Sequence, residues 1–321
     1  MRKIIIITLV VAALIATIAI AGTSALNQLN HVEIEKTDEA LGISVEEKPY
    51  YKEYVPLPKE ESRKDIINIA LFGIDEEEAS AQSRSDCMII LTIDFKNKKV
   101  KLSSLMRDMY VDIEDYGSTK LNHAYAYGGA PLAIKTINQN FGTNIRDYGT
   151  VGLYTLEKII DVLGGVTIDV KEEEIPCIAS YTGKTEITEA GEQLLNGNQA
   201  VAYASIRYVG NGDFERTERQ RKVLSVIIDK AKRKGITAVP GLISEILPLV
   251  ETSIDNQTIL DMAVDYFKAG DITFEQERFP VDGYYWNDIE NGIYYLKFDT
   301  EMTRKQITDY IYSDIKPIPK E

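Results

Sequence analysis

Apolar and polar positions along the chain predict a mixed α/β domain behind a long apolar N-terminal segment. Short apolar runs bounded by turn residues predict strands at 65–75, 86–95, 100–113, 166–170, 200–208, 272–279 and 292–298. Apolar residues at helical spacing predict helices at 128–142, 154–165, 217–234, 240–250, 256–268 and 300–313. Because helices and strands mix along the chain, we expect one mixed sheet covered by helices.

The N-terminal residues predict a membrane anchor. Residues 4–22 carry no charge and follow Arg2 and Lys3, and about 20 apolar residues suffice to span a bilayer. This assigns 1–3 to the cytoplasm, 4–22 to a transmembrane helix, 23–64 to an extracytoplasmic stalk and 65–321 to the folded domain. The alternative is a signal peptide, cleaved at the small residues 23–25.

Composition narrows the function classes. The net charge of −14 argues against a nucleic-acid partner, since no broad basic face is evident. With two cysteines and two histidines in all, a zinc site or a Ser–His nucleophile is disfavoured. We favour free thiols at Cys87 and Cys177 over a disulfide between them.

Charged residues gather at one predicted edge of the sheet. If the first three strands form a meander, the end of the first strand (Asp75), the start of the second (Arg84, Asp86) and the end of the third (Arg107, Asp108) meet there. Two carboxylates suit Mg²⁺, and guanidinium groups suit phosphate oxygens. Ordinary ion pairs at strand ends remain the alternative.

An arginine-rich segment precedes or opens the helix predicted at 217–234. Arg216, Arg219 and Arg221 crowd into six positions, and Thr217 with Gln220 matches a capping box. Cations at a helix N-terminus oppose the macrodipole, so we interpret the cluster as an anion site, with a solvated charged turn as the alternative.

The motifs LFGID, SRSD, SLMRDMYV, KLNHAYAYGG, GGVTIDV and IRYVGNGDFERTERQR together resemble those of the LytR–CpsA–Psr family of bacterial cell-envelope proteins. The resemblance runs from about residue 66 to 234. It implies a three-layer α/β/α domain and an extracytoplasmic phosphotransferase. Such enzymes transfer a glycopolymer, such as teichoic acid or capsule, from a polyprenyl-pyrophosphate carrier to the C6 hydroxyl of N-acetylmuramic acid in peptidoglycan.

The resemblance also implies roles for individual residues. Mg²⁺, with Mn²⁺ as an alternative, is expected on Asp75 and Asp86, and Arg107 is a catalytic candidate. The proposed site itself, rather than the resemblance, leaves Asp86 and Asp108 as alternative general bases, and either is open to capture by metal or arginine. The pyrophosphate-binding residues are expected to be Arg84, Arg107, Lys120, Asn122, Arg207, Arg216, Arg219 and Gln220.

One position departs from the family pattern. Family members often have Arg-x-Arg where this chain has Ser205, Ile206 and Arg207. In a strand, residues 205 and 207 share a face, so Ser205 is expected beside the pyrophosphate in place of an arginine.

Two other functions remain open. The same site would permit hydrolysis of the pyrophosphate by water, and a protein without catalytic activity would bind lipid-linked polymer or regulate wall assembly. The expected partners are the lipid-linked glycopolymer, peptidoglycan and membrane lipid. The apolar stretches 131–142 and 156–166 are expected to be core, although the family implies an apolar pocket for the lipid.

Overall fold

The computed structural model describes residues 30–43, 65–74, 83–184, 186–235, 241, 245–246 and 249–320. The predicted anchor at 4–22 therefore lies outside the described residues, as do Asp75 and most of the helix predicted at 240–250. Within the described residues, none of the helices has the length and apolarity needed to cross a bilayer.

A seven-stranded mixed sheet forms the centre of the fold. Its strands, in spatial order, are β1 (Asn30–His31), β10 (Glu251–Thr252), β7 (Asp147–Gly152), β2 (Ile66–Ile74), β3 (Ser85–Asp94), β4 (Lys99–Leu105) and β11 (Thr273–Phe279). The strands β2, β3 and β4 form the expected antiparallel meander, whereas β7 runs parallel to β2 and β11 parallel to β4. The predicted central mixed sheet is confirmed.

Three two-stranded sheets complete the strands of the described residues. They pair β5 (Tyr110–Ile113) with β6 (Gly117–Lys120), β8 (Val166–Val170) with β9 (Gly191–Leu195), and β12 (Tyr285–Glu290) with β13 (Ile293–Phe298). The sequence did not lead us to expect β12, which forms a hairpin with β13.

Seven α-helices surround these strands in the described part of the chain. They are α1 (Leu121–Phe141), α2 (Leu153–Val162), α3 (Ile175–Thr182), α4 (Gly197–Ser205), α5 (Asp213–Arg233), α6 (Asn256–Lys268) and α7 (Thr300–Ser313). Helix α1 includes a kink, because Gly128 and Gly129 leave the helical conformation before Pro131.

Opposite faces of the central sheet pack into different clusters. Successive residues of a strand point to opposite faces, and Phe72 and Ile90 lie in the main core with Ile134 of α1 and Ile307 of α7. On the other face, a smaller cluster around Ile89 includes side chains from α5 and α6. The stretch 131–142 thus supplies core residues, as expected.

A third cluster lies beside the sheet. It joins α2, α3 and α4 with the β8–β9 pair, and Val223 connects it to α5. Helix α5 therefore contacts this cluster, while Leu224, the next residue, faces the sheet. These two contacts fix the position of α5, and therefore where the first turns of α5 lie relative to the strand ends.

The segment 30–43 corrects the predicted stalk. Residues 30 and 31 pair with β10, and Leu41 and Ile43 are buried in the main core. The Asn138 side chain of α1 donates a hydrogen bond to the Leu41 carbonyl at 2.8 Å. This part of the stalk assignment was wrong, since a few apolar side chains in a polar segment dock on distant residues.

The segment 200–208 is not the strand that was predicted from the sequence. Residues 197–205 form α4, and Asn196 caps its start by accepting a hydrogen bond from the Gln199 amide. The alternating apolar residues Val201 and Tyr203 misled the prediction, because both are buried on a helix. Both cysteines are free, as favoured from the sequence.

Candidate active site

Strand ends converge around Asp86. Residue 73 of β2 pairs with residue 87 of β3, and the register shifts between residues 73 and 74. A Cβ atom on Gly73 would lie 2.8 Å from the Cys87 Cβ, so glycine permits this close approach. The Asp86 carboxylate and the loop after β4, which carries Arg107, thereby come together at the expected edge.

Three arginines surround the Asp86 carboxylate. Arg107 Nη1 donates a hydrogen bond to Oδ1, and Arg207 Nη2 donates to Oδ2 at 2.8 Å. Arg216 Nη1 lies 3.8 Å from Oδ2, while its Nη2 donates to the Asp86 backbone carbonyl at 3.1 Å. The sequence-predicted Asp86, Arg107, Arg207 and Arg216 therefore form one contiguous group.

Arg107 also contacts two further carboxylates. Its Nε lies 3.5 Å from Asp213 Oδ2 and 3.7 Å from Asp108 Oδ2. Both the Nε of Arg107 and the Oδ2 of Asp213 are buried and make no hydrogen bond within the described structure. Hydrogen-bonding capacity thus remains unused at the centre of the group, which is typical of a site that receives a ligand.

Asp213 is the functional candidate that sequence reasoning missed. It opens helix α5, and its Oδ1 lies 3.0 Å from Arg216 Nη2 one turn later. We expected the helix to begin at Thr217, but Thr217 lies inside it, and its Oγ1 donates to the Phe214 carbonyl. The signal was available, since an acidic residue three positions before an arginine is typical of a first helical turn.

Lys120 and Asn122 lie on the other side of Arg107. Lys120 is the last residue of β6, and its Nζ lies 2.7 Å from Asp108 Oδ1. The Asn122 amide donates to the Arg107 carbonyl at 3.1 Å, and its side-chain Oδ1 is buried without a hydrogen-bond partner among the described residues. These contacts connect the start of α1 to the site.

Arg84 stands at the exposed rim of the site. Its side chain is exposed, and its charge reaches His123 of α1. Burial, then the positive charges of Arg84 and Lys120, hold the pKa of His123 below its ordinary value. The basic groups near the rim therefore include Arg84 and Lys120, and both lower the pKa of His123.

Arg219 does not point to this site. Its guanidinium is buried against Glu174 (2.7 Å) and Glu215 (3.0 Å), and it donates to the Ile206 carbonyl. The expectation that Arg219 contacts the pyrophosphate is thus not supported by its position. Gln220 is half-buried on α5, one turn beyond Arg216.

Ser205 requires a second correction. It is the last residue of α4, so the argument that it shares a strand face with Arg207 was wrong. Arg207 lies beyond the helix end and reaches Asp86 from there.

Electrostatics at Asp86 favour the ionised carboxylate. Burial raises its pKa, but the guanidinium groups of Arg107, Arg216 and Arg207 outweigh burial and hold the pKa below 3.8. For Arg216, burial and the neighbouring guanidinium groups lower the pKa. Like charges crowded this closely repel one another, and a polyanionic ligand would relieve that repulsion.

The side chains of the site bear on whether it could hold a divalent metal. Among the described residues, which do not include Asp75, no group of three or more His, Cys, Asp or Glu side chains is arranged to hold one. Mg²⁺ usually takes one or two carboxylates together with phosphate oxygens. Asp86 is ionised, and its side chain is 41% exposed, so its chemistry fits such a role.

Known proteins share both the sequence and the fold. The profile described as the LytR_cpsA_psr family matches residues 22–310. The chain belongs to this family. The resemblance inferred from the motifs is confirmed, and the fold class agrees with solved structures of the family.

Two curated relatives have contrasting names. The "Regulatory protein MsrR" of Staphylococcus aureus (strain COL) is 30% identical over 253 residues, 77% of this chain and 75% of its own. The "Polyisoprenyl-teichoic acid--peptidoglycan teichoic acid transferase TagT" of Bacillus subtilis (strain 168) is 31% identical over 244 residues, 74% of each chain.

A solved structure extends the likeness to the fold. The structure described as "LytR-CPS2A-psr family protein YwtF (TagT) with bound octaprenyl pyrophosphate lipid" superimposes with a TM-score of 0.64. It is 24% identical, and the match covers 88% of this chain and all of that one.

Proposed function

We propose that the protein is a phosphotransferase that moves a glycopolymer, such as teichoic acid or capsule, from a polyprenyl-pyrophosphate carrier to peptidoglycan. The observation that carries the proposal is the convergence of Arg107, Arg207 and Arg216 on one exposed carboxylate. Guanidinium groups bind phosphate oxygens through paired hydrogen bonds. The relative named as a teichoic acid transferase supports the same reaction class.

The charges explain how a pyrophosphate is received. Arg107, Arg207, Arg216 and Lys120 give four positive charges against three carboxylates at Asp86, Asp108 and Asp213, a balance of +1 (4 − 3). A pyrophosphate competes with Asp86 for Arg107 and Arg207. Because these guanidinium groups would then face the developing charge on phosphorus, they stabilise the transition state more than the free substrate.

The transfer is a displacement at phosphorus. The C6 hydroxyl oxygen of N-acetylmuramic acid bonds to the phosphorus that carries the glycopolymer. The bond from that phosphorus to the bridging oxygen breaks, and polyprenyl phosphate leaves with the electron pair. The hydroxyl proton passes to a carboxylate, as general base catalysis requires.

Asp108 is the better candidate for that carboxylate. Arginines occupy both Asp86 oxygens and lower the pKa of its carboxyl, which weakens it as a base. Asp108 is held by Lys120 at 2.7 Å, and its second oxygen lies farther from Arg107, at 3.7 Å from Nε. The assignment predicts that Asp108→Asn slows transfer without weakening donor binding.

A divalent metal is part of the proposal. Asp75 and Asp86 would hold Mg²⁺, or Mn²⁺ in its place. When bound, such an ion neutralises phosphate charge and polarises a phosphoryl oxygen. The arginines and Lys120 would bind and orient the pyrophosphate. Asp108 would accept the proton of the attacking hydroxyl.

The lipid tail is assigned to the sheet face opposite the main core. There Leu71, Leu91, Leu224 and Phe274 are only partly buried around a small cluster formed by the buried residues Ile89, Val100 and Leu102. Cys87, the residue after Asp86 in β3, lies at the end of this face nearest the pyrophosphate site. Apolar area left partly exposed beside a polar site is typical of a ligand pocket.

The location follows from the same reaction. Residues 4–22 are proposed to anchor the chain with its N-terminus in the cytoplasm and the enzyme domain outside the cell. External protease applied to protoplasts is expected to remove the domain. Full protection of the intact chain would contradict this topology.

One assay separates the three functions. The full-length protein in detergent receives a radiolabelled, polyprenyl-pyrophosphate-linked glycan, with and without peptidoglycan and with and without EDTA. We expect peptidoglycan to gain label and polyprenyl phosphate to appear together, and EDTA to abolish both. Release without label transfer would indicate a hydrolase, and binding without release would indicate a non-catalytic protein that binds lipid-linked polymer or regulates wall assembly.

A further inference from the structure

Part of the motif KLNHAYAYGG has no role in the reaction described above. The site uses Lys120 and Asn122, while His123 and Tyr127 lie further along the same helix. The Tyr127 ring stacks on Tyr116, with centroids 4.6 Å apart and planes at 18°, and packs against the His123 ring at 5.7 Å. Tyr116 is 54% exposed and Tyr127 is 44% exposed. Two large rings thus lie on the surface next to the basic rim.

A third exposed ring flanks Lys120 from the β12–β13 hairpin. Lys120 Nζ lies 5.7 Å from the ring centroid of Tyr294, which is 37% exposed. The Leu296 amide donates to the Asp108 carbonyl at 2.9 Å, which fixes the hairpin beside the site. Tyr294 therefore flanks Lys120, and His123 connects the pair Tyr116 and Tyr127 to the charges of Lys120 and Asp108. These four residues are hereafter the aromatic strip.

We infer that the aromatic strip binds the sugar rings of the acceptor glycan strand. The inference rests on the proposed function, since only a transferase needs an acceptor site. A pyranose presents a face of C–H bonds that packs on the electron-rich face of an aromatic ring. Rings flanking Lys120 and Asp108 would place a sugar hydroxyl close to the carboxylate proposed to take its proton.

The charges around the strip favour an uncharged glycan over a membrane surface. Asp112 and Asp115 are exposed beside Tyr116, whereas Glu290 on the hairpin is paired with Lys297 at 2.8 Å. The whole chain carries a net charge of −14. Carboxylates repel anionic lipid headgroups, whereas they accept hydrogen bonds from sugar hydroxyls. Continuity with the proposed donor site points to the same occupant.

The stacked pair is also preorganised. Tyr116 follows the turn residue Asp115, whose φ is +67°, and Tyr127 is held by α1. The His123 Nδ1 and the Thr119 Oγ1 share a hydrogen bond of 2.9 Å, which orients the imidazole ring against Tyr127. Rigid tyrosines provide contact area at low entropic cost.

Acceptor kinetics test the inference. In the full-length protein, Tyr116→Ala and Tyr294→Ala should each raise the KM for soluble, uncrosslinked glycan strands by about two- to tenfold. The KM for the lipid-linked donor should not change. Tyr116→Phe retains the ring and should behave as the wild type. Tyr181→Ala, which removes a ring that is 48% exposed on α3, is the matched control.

Direct titration keeps the inference separate from the proposed function. Calorimetry with the same glycan strands should show binding to the wild type and weaker binding to Tyr116→Ala and Tyr294→Ala. If the wild type binds glycan but releases no polyprenyl phosphate, the proposed function fails and the aromatic strip stands. If the wild type turns over donor but does not bind the strands, the aromatic strip is overturned.

The membrane alternative has its own outcome. The kinetic comparison is repeated in detergent micelles and in phosphatidylglycerol-containing vesicles. Equal effects of the tyrosine variants in both media support a glycan site. An effect present only in vesicles would show that the rings contact lipid and would overturn the inference, as would equal effects of Tyr181→Ala and Tyr294→Ala on the acceptor KM.

Discussion

Two charged clusters lie at opposite ends of β3 and β4, and they differ in completeness. At one end, the Asp86 side chain is 41% exposed among arginines that leave polar atoms unpaired. At the other end, Lys101 is fully buried, and its Nζ lies 2.9 Å from Asp314, 3.8 Å from Asp94 and 2.6 Å from the Tyr310 carbonyl. The second cluster joins α7 to the sheet.

The comparison shows what separates a binding site from a structural ion pair. Both clusters place aspartates and cations at strand ends, so sequence spacing alone does not distinguish them. The Lys101 cluster closes on itself, since Asp94 also accepts hydrogen bonds from the amide and side chain of Asn97. The Asp86 cluster holds excess cations next to solvent. Buried polar atoms without a hydrogen bond also occur beside the Lys101 cluster, at Tyr310 Oη and Glu275 Oε2. The excess of cations next to solvent is therefore what marks the site.

The largest expected effect is a loss of stability at the Lys101 cluster. Lys101→Met should lower the free energy of unfolding by about 3–5 kcal/mol, because it leaves the buried Asp94 carboxylate without its cation. Guanidinium denaturation followed by circular dichroism measures this. Lys99→Met is the control, since Lys99 also pairs with Asp314 but is 22% exposed. Equal losses in both variants would mean that burial does not set the cost.

In the Asp86 cluster, by contrast, a substitution should change the reaction rate much more than the stability. Arg107→Lys should reduce polyprenyl phosphate release by about 10²–10³-fold, because a single ammonium does not replace a guanidinium fork at the developing charge. The free energy of unfolding should change by less than about 1 kcal/mol. Arg146→Lys, in a surface pair with Asp38, is the matched control. A large loss of stability without loss of rate would make the Asp86 cluster structural.

A smaller effect is expected from Asp213→Asn. The change removes the charge that holds both Arg107 and Arg216. We expect kcat to fall about tenfold, which corresponds to one charge-assisted contact. The donor KM should stay level or fall, since the site becomes more positive. Glu215→Gln, on the same turn but paired with Arg219, should leave both constants unchanged, and a similar fall there would remove the special role of Asp213.

The sequence predicted the site better than the elements that carry it. The meander and the meeting of Asp86 with Arg107 followed from short apolar runs and their ends, which are local properties. Arg216 was placed with them only by the family resemblance. The α4 helix was missed because its apolar residues alternate, although Asn196 and Gln199 form a capping box in the sequence.

Other features depended on distant contacts. Leu41 and Ile43 join the core only because Asn138 and the main cluster receive them. Arg219 turns away from the site because Glu174, 45 positions earlier in the chain, is buried beside it. Such pairings arise from the tertiary fold, and spacing along the chain does not encode them.

The smallest expected effect concerns His123, the imidazole near the Asp86 cluster. Within the described structure, the Lys101 cluster has no histidine beside it. Burial and then the charges of Arg84 and Lys120 lower the pKa of His123 below 6.5. A lowered pKa means that His123 contributes to stability above pH 6.5, and that the contribution is lost as pH falls through the folded-state value. The chain has two histidines, so NMR titration of the His31→Gln variant reports His123 alone.

The titration midpoint of His123 in that variant is expected below 6.5. Adding Arg84→Gln should raise the midpoint by a fraction of a unit, because one positive charge near the ring is removed. Arg146→Gln removes the same charge from a surface pair with Asp38, and it should leave the midpoint in place because its charge is not among those that shift His123. A midpoint above 6.5 before either change would show that Asp108 outweighs the cations at the rim, and the rim would then not be the basic side of the site.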